Sequence, residues 1–305
     1  MIKIKKYAAI DIGSNAMRIL IANVIEEANK PTQFNKSHLI RVPIRLGQDA
    51  FTVGEISEEN AERMVKAMKA FKLLMEVYKV EKYAACATSA MREAFNGKEL
   101  AEEIAEKTDI EIDIIDGKTE AAIIANSDLA SYIKKEGHYL YVDVGGGSTE
   151  FTLFSDGKQI VSKSFKNGTV RLLNNMVTES VWYEIEKWIR LQTQDLDKVE
   201  LIGSGGNINK IFKMSGKSQE KPLTQIYLNQ QFKYLNSLSY DERISTLALN
   251  TDRADVIIPA IKIYVNAMKW SNAKHIYVPK IGLSDGIVKA MYFENAKIKT
   301  HIINP

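Results

Sequence analysis

The sequence contains two segments of the same pattern, AAIDIGSNAMRIL at residues 8–20 and LYVDVGGGSTEFT at residues 140–152. Each begins as an apolar strand, reaches Asp-Ile-Gly or Asp-Val-Gly, continues through small hydroxyl or amide residues, and enters a second strand. Asp11 and Asp143 are 132 positions apart, which is about the length of one domain. The repeat therefore predicts two domains that open in the same way.

The turn in each repeat has the chemistry of a phosphate site. A strand that ends in aspartate places a carboxylate where it can face a metal ion directly or through water. Glycines and small residues leave backbone N–H groups open to an anion, because no bulky side chain covers them. The alternative interpretation is a pair of tight hairpin turns that need glycine for their backbone angles. One copy would favour that alternative, whereas two copies opening two domains favour phosphate binding.

A third glycine turn, LIGSGGN at residues 201–207, follows another apolar strand and precedes a predicted helix. That order is typical of an anion site at a helix N-terminus. The turn has neither the Lys-Ser/Thr ending of a P-loop nor the spacing of a dinucleotide-binding loop, so neither is predicted.

Composition restricts the class of protein. The 305 residues are 45% apolar and 26% charged, which is typical of a globular protein of about two domains. A net charge of +3 does not indicate a nucleic-acid-binding protein. The single cysteine, Cys86, excludes a disulfide framework and a cysteine zinc site, and its apolar neighbours predict a buried, inert thiol. The sequence shows no bilayer-spanning apolar run and no secretion signal, so we expect a cytoplasmic protein without a membrane partner.

The apolar periodicity alternates between 2 and 3.6 residues, which predicts an α/β architecture. Ser57 is predicted to cap a long helix. A strand is predicted over residues 110–115, and further helices are predicted over residues 118–133 and 252–268. The pattern then starts again, with a strand from Tyr139. We therefore predict domains at residues 1–123 and 124–305, with the option that the last helix packs back on the first domain.

Taken together, these segments resemble the exopolyphosphatase/guanosine pentaphosphate phosphohydrolase (Ppx/GppA) family, in its short two-domain type. The loops at 11–15 and 143–150 carry the resemblance. Further blocks match in order along nearly the whole chain, at residues 87–94, 116–121, 203–206, 253–260 and 283–286. The resemblance implies two ribonuclease-H-like α/β domains of the actin, sugar-kinase and Hsp70 superfamily, with the active site in a cleft between them.

The activity that the resemblance implies is hydrolysis of terminal phosphoanhydride bonds, with release of orthophosphate from inorganic polyphosphate. Removal of the 5′-terminal phosphate of pppGpp is the close alternative, because both substrates present the same reacting end. Readings from other classes are an actin-like ATP-binding regulatory protein and a small-molecule kinase. Those would need an adenosine pocket, and no adenosine-binding segment is recognisable beyond residues 203–207.

The resemblance also assigns residues to the site. Asp143 is the first candidate to organise Mg²⁺, or another divalent cation such as Mn²⁺, with Asp11 and Glu150 as further candidates. The predicted phosphate-binding groups are small residues of the three turns: Ser14, Asn15, Gly145, Gly146, Gly147, Ser148, Thr149, Gly205 and Gly206.

Two residues are assigned to the reaction itself. Glu120 matches the second glutamate of the family's Gly-x-Glu-Glu-Ala pattern, which implies a catalytic base, although Thr119 stands where the first glutamate is expected. The alternative for Glu120 is an acidic residue stabilised by the dipole of a helix start. Arg92 is the candidate guanidinium for phosphate oxygens. Its alternative is an ordinary surface ion pair.

Two expectations concern longer-range binding. One interpretation of the scattered basic residues is a binding track for a long polyanion, and the alternative is a set of solvated faces. The residues are Lys163, Lys166, Arg171, Lys210, Lys213, Lys217 and Lys221. The tyrosine and methionine content (13 and 10) is compatible with a homodimer.

Overall fold

The computed structural model describes residues 1–125, 127, 129, 132–134, 136–294 and 298–303. The chain divides into two compact units. The first comprises Met1–Asp128 and Gly282–Pro305, and the second comprises Leu129–Ile281. Within the described residues, no helix combines the length and the apolarity that a membrane span requires.

The first unit contains one mixed sheet. Its strands are β1 (Ile2–Ile12), β2 (Met17–Glu27), β3 (Gln33–Val42), β4 (Lys82–Ala87), β5 (Asp113–Ile114) and β12 (His301–Ile302). β1, β2 and β3 are antiparallel neighbours, whereas β4 runs parallel to β1 and β5 runs parallel to β4. β12 pairs antiparallel with the beginning of β4, so β5 and β12 share one edge of that strand.

The helices of the first unit follow apolar periodicity and local capping. They are α1 (Leu46–Thr52), α2 (Glu58–Val77), α3 (Ser89–Glu93), α4 (Gly97–Thr108), α5 (Gly117–Ala125) and α13 (Leu283–Phe293). The Ser57 side chain accepts a hydrogen bond from the Asn60 N–H at the start of α2, which confirms the predicted cap. α2 buries Met64, Met68 and Phe71, at the three- and four-residue spacing that defines one helix face.

The second unit has the same kind of sheet with a larger helical layer. Its strands are β6 (His138–Val144), β7 (Thr149–Ser155), β8 (Lys158–Phe165), β9 (Val199–Ser204), β10 (Leu223–Thr224) and β11 (His275–Tyr277). Its helices are α6 (Thr169–Leu173), α7 (Glu179–Thr193), α8 (Gly206–Met214), α9 (Gln225–Ser237), α10 (Tyr240–Ser245), α11 (Thr251–Ala254) and α12 (Ile257–Trp270). Phe151, Leu201 and Tyr264 are among the fully buried residues of its core.

The two sheets share one topology. The order is β3-β2-β1-β4-β5 in the first unit and β8-β7-β6-β9-β11 in the second. In both, three antiparallel strands precede two that run parallel to the first. This ribonuclease-H-like arrangement confirms the predicted fold class of each unit.

Three predicted elements differ from the structure. The helix predicted over 118–133 ends at Ala125, and residues 126, 128, 130 and 131 lie outside the described residues. The strand expected near 110–115 is only the two residues of β5. The helix expected from Asp252 onward is interrupted between α11 and α12. Pro259, which has no N–H to donate, lies in the first turn of α12, the position in a new helix where proline is tolerated.

The last helix, α13, packs on α5 within the first unit. Gly286 makes the contact possible, because a Cβ at that position would lie 2.2 Å from the carbonyl oxygen of Ile123. The chain thus returns from the second unit to complete the first.

Candidate active site

The parallel strands of the first unit end at one edge of the sheet. The Thr88 N–H donates to the Ile12 carbonyl at 3.1 Å, and the Ile115 N–H donates to the Ala87 carbonyl at 3.0 Å. These bonds place the loops that follow β1, β4 and β5 side by side. In open α/β sheets, ligands bind beyond the carboxyl ends of such strands.

The loop after β1 has its peptide groups held in a defined direction. The Gly13 N–H closes the turn onto the Ala16 carbonyl at 3.1 Å. The Ser14 carbonyl accepts from the Gly47 N–H at 2.7 Å, and the Asn15 carbonyl accepts from the Arg45 N–H at 3.1 Å. In a trans peptide the C=O and the next N–H point in opposite directions, so the N–H groups of Asn15 and Ala16 point away from the start of α1.

The loop after β6 repeats this turn 132 positions later. The Gly145 N–H donates to the Ser148 carbonyl at 3.0 Å, as Gly13 does to Ala16. Three successive carbonyls, those of Gly145, Gly146 and Gly147, then accept from the region where α6 begins. Their donors are the Thr169 N–H at 3.0 Å, the Val170 N–H at 2.9 Å and Arg171 Nε at 2.9 Å.

The direction of these three carbonyls determines the direction of three N–H groups. Since the peptides are trans, the N–H groups of Gly146, Gly147 and Ser148 point away from residues 169–171. Successive N–H groups facing one side form a concave site for an anion. The N–H of Gly145, which was also predicted to bind phosphate, is used inside the turn.

Sequence reasoning missed the segment that orients this loop. A Cβ on Gly168 would lie 2.2 Å from the carbonyl oxygen of Gly146, so only glycine lets α6 approach so closely. The buried hydroxyl of Thr149, predicted to bind phosphate, instead donates to the Asn167 carbonyl. The position of this segment in the repeat could have identified it from the sequence. Residues 168–171 follow β8 much as residues 45–47 follow β3.

The aspartates of the two repeats face different kinds of residue on the neighbouring strand: a basic one in the first unit and an acidic one in the second. Asp11 lies across the sheet from Arg18, whose Nη1 donates to Asp11 Oδ2 at 3.3 Å. Burial raises the pKa of Asp11, and the Arg18 guanidinium acts against that rise. Asp143, in contrast, lies directly across from Glu150. Directly opposed like charges are destabilising in a sheet.

The opposed pair fits a divalent cation. The two groups are an aspartate and a glutamate on one face of the sheet, and Mg²⁺ takes one or two protein carboxylates plus water and substrate oxygens. Glu150 Oε1 is oriented by the hydroxyls of Ser148 at 2.6 Å and Ser164 at 2.8 Å. Among the described residues, no group of three or more His, Cys, Asp or Glu side chains forms a ready metal site.

The third glycine turn adjoins Asp143. Gly205 has a φ of 118°, and a Cβ there would lie 3.0 Å from the Val144 carbonyl oxygen and 3.8 Å from Asp143 Oδ1. α8 begins at the next residue, Gly206. The Tyr141 hydroxyl donates to Asp143 Oδ2 at 3.3 Å. The carboxylate thus has both the glycine turn and a buried phenol as neighbours.

Glu120 lies in the first turn of α5, and Arg92, which belongs to α3, reaches the backbone just before that helix. Asp116 Oδ1 accepts from the Thr119 N–H at 2.7 Å and caps the helix that carries Glu120. Arg92 Nη1 donates to the Ile115 carbonyl at 2.6 Å. The guanidinium is therefore fixed to the backbone just before that helix.

The Cys86 thiol is influenced by several carboxylates of the first unit. Its thiol is free and fully buried, as predicted. Burial raises the pKa of Cys86 most, and the charges of Asp113, Asp11 and Glu120 raise it further. Asp11 lies directly opposite Cys86 in the strand register, and the Glu120 carboxylate acts on the same thiol electrostatically.

Four of the seven basic residues of the expected polyanion track make identified contacts. Arg171 is buried against the Gly147 carbonyl, so it cannot belong to a surface track. Lys210 Nζ donates to the Leu247 carbonyl at 3.0 Å, and Lys217 Nζ donates to the Pro222 carbonyl at 2.8 Å. Lys163 lies over the Phe165 ring at 4.6 Å.

These features define a class of protein: an α/β protein of two ribonuclease-H-like units, each with a glycine turn of phosphate-loop geometry after its first strand. The sequence pattern of the Ppx/GppA phosphatase family matches residues 27–293. The chain belongs to this family, and its enzyme class is that of a phosphoanhydride hydrolase.

The known proteins most similar to the chain include enzymes of the same family. It is 29% identical to a bifunctional 3-dehydroquinate synthase/phosphatase of Fusobacterium nucleatum subsp. nucleatum over 82% of this chain, and spans only 39% of that relative's length. It is 24% identical to a putative exopolyphosphatase of Haemophilus influenzae, over 94% of this chain and 92% of the relative. The crystal structure of an exopolyphosphatase from Cytophaga hutchinsonii has the same fold, with a TM-score of 0.82 at 22% identity, covering 95% of this chain and 98% of that one.

Proposed function

We propose that the chain releases terminal orthophosphate from inorganic polyphosphate. The observation that carries the proposal is the loop after β6, where three successive N–H groups face one side next to the opposed carboxylates Asp143 and Glu150. An anion that also brings metal-coordinating oxygens satisfies both features. Removal of the 5′-terminal phosphate of pppGpp is the second candidate, because its reacting end is the same.

The loop after β6 would hold the phosphate end. The N–H groups of Gly146, Gly147 and Ser148 bind phosphoryl oxygens, and the turn at Gly205 and Gly206 adds further donors. Asp143 and Glu150 hold Mg²⁺ or Mn²⁺, and the cation neutralises charge on the phosphoryl oxygens when bound.

Further residues would take part in the reaction itself. Water attacks the terminal phosphorus, the bond from phosphorus to the bridging oxygen breaks, and the shortened chain leaves with that oxygen. Glu120 orients the water and accepts its proton, and the Arg92 guanidinium stabilises charge on the transferred group. Ser14 and Asn15 contribute donors from the loop after β1. Hydrolysis yields orthophosphate and a chain one phosphate shorter.

The test compares orthophosphate release from polyphosphate, pppGpp and ATP in parallel, with Mg²⁺ and with excess EDTA. We expect metal-dependent release from polyphosphate. Glu120→Gln and Asp143→Asn should each lower kcat by about a hundredfold or more. Glu99→Gln and Asp195→Asn are matched controls at exposed positions and should leave kcat unchanged.

Other outcomes would contradict the proposal. Turnover of ATP alone, or tight ATP binding without turnover, would favour the kinase or ATP-switch interpretation. Full activity in Glu120→Gln would remove the glutamate from the mechanism. Full activity in EDTA would exclude the cation.

A further inference from the structure

We propose that Arg171 is a positioning residue of the phosphate loop: its guanidinium holds the Gly147 carbonyl and thereby directs the Ser148 N–H toward the substrate phosphate. The inference rests on the proposed function, because it assumes that the loop after β6 binds the phosphate end. It gives a role in the proposed reaction to a residue that one interpretation of the sequence placed on a surface track.

Arg171 is the one side chain among the three donors that orient the loop. The carbonyls of Gly145 and Gly146 are held by backbone N–H groups, which no substitution of Thr169 or Val170 removes except proline. The carbonyl of Gly147 is held at 2.9 Å by Arg171 Nε. The direction of the peptide group between Gly147 and Ser148 therefore depends on this side chain.

The first unit shows the contrast. Asn15 is the counterpart of Gly147, 132 positions earlier, and its carbonyl accepts from the backbone N–H of Arg45 at 3.1 Å. Only in the second unit is the equivalent contact made by a charged side chain. That loop is also the one that adjoins the opposed carboxylates.

Arg171 combines a charge, a planar N–H geometry and a large volume in a buried position. The residue is 8% exposed, and a guanidinium stays protonated at all ordinary pH values. A lysine at this position would keep the charge but lack the planar N–H geometry. A methionine would keep part of the side-chain volume but neither the charge nor the N–H geometry.

The experiment measures kcat, KM and thermal midpoint for Arg171→Met, Arg171→Lys and Arg171→Ala, and orthophosphate affinity by calorimetry. We expect Arg171→Met to lower kcat by about tenfold to a hundredfold, because a misdirected donor fails mainly in the transition state. Arg171→Lys should recover part of the loss, and added methylguanidinium should restore activity to Arg171→Ala. Arg190→Met, which removes an exposed arginine of α7, is the matched control and should behave as wild type.

The outcomes separate the inference from its premise. A kcat of Arg171→Met within twofold of wild type would overturn it. So would a loss of activity that tracks a fall in thermal midpoint and shows no rescue by methylguanidinium, because that indicates a purely structural role. If Arg171→Met does not fold, the comparison of Arg171→Lys with wild type decides in the same way. If wild type hydrolyses no phosphoanhydride, the proposed function fails. The role of Arg171 is still tested in that case, because unaltered orthophosphate affinity in the variants would overturn it separately.

Discussion

At the scale of single residues, the pair across the first two strands of each sheet distinguishes the two units. Asp11 faces Arg18 and already has an opposite charge at 3.3 Å, whereas Asp143 faces Glu150. Equivalent backbone positions thus carry an aspartate–arginine pair in one unit and an aspartate–glutamate pair in the other. The metal expectation therefore applies more strongly to Asp143 and Glu150 than to Asp11.

This difference predicts that a divalent cation stabilises the protein through Asp143. Mg²⁺ should raise the thermal midpoint of wild type and leave that of Asp143→Asn unchanged, because a ligand stabilises only the state that binds it. Thermal unfolding in EDTA and in excess Mg²⁺ measures this effect. An unchanged midpoint of wild type in Mg²⁺ would contradict the metal assignment.

A second residue-scale prediction concerns Asn167. Its side chain is fully buried, and neither its amide nitrogen nor its amide oxygen has a hydrogen-bond partner among the described residues. A buried polar group without a partner costs about 1–3 kcal/mol, so Asn167→Leu, which has similar volume, should raise the free energy of unfolding by about 1 kcal/mol. Urea unfolding measures this, with Asn167→Ala as the control that leaves a cavity. A lower stability in the leucine variant would show that the amide is satisfied in solution.

At the scale of elements, the start of α5 decides where Glu120 lies. Asp116 caps this helix through the Thr119 N–H, and that hydrogen bond is the main cause of the lowered pKa of Asp116. Arg92 is fixed to the carbonyl of the preceding residue, Ile115. The cap and the anchored guanidinium together set the register of the first helical turn.

Loss of the cap should therefore be measurable. Asp116→Ala should lower the free energy of unfolding by about 1 kcal/mol at neutral pH, and Asp116→Asn should lower it less because asparagine also caps. The folded-state pKa of Asp116 is lowered, so its contribution is present above the unfolded pKa of about 3.9 and is lost as the pH falls through the folded pKa. The difference between wild type and Asp116→Ala should shrink in acid. A difference that is independent of pH would contradict the charged cap.

At the scale of the whole molecule, the chain leaves the first unit, forms the second, and returns with α13. The return depends on the close approach of Gly286 to the Ile123 carbonyl of α5. The helix that carries Glu120 is therefore packed by residues from the far end of the sequence.

Gly286→Ala tests this contact. Alanine favours a helix by about 1 kcal/mol over glycine, but its Cβ would lie 2.2 Å from a backbone oxygen that cannot rotate away. Overpacking should prevail and lower the free energy of unfolding by about 1–3 kcal/mol. Gly282→Ala is the matched control, because a Cβ there meets no atom within 4 Å. Equal stabilities of the two variants in denaturant unfolding would show that α13 shifts without cost.

The repeated strand–Asp–Gly turn, the Ser57 cap and the glycine turn at 203–206 were readable in the sequence, because each depends on neighbours within a few residues. Local patterns likewise indicated two α/β units of one topology. What required the tertiary structure was the partner of each group: Glu150 opposite Asp143, Arg171 beneath Gly147, and Gly286 against Ile123. Strand register and the packing of distant segments decide these pairs, and neither leaves a signal in the spacing of residues along the chain.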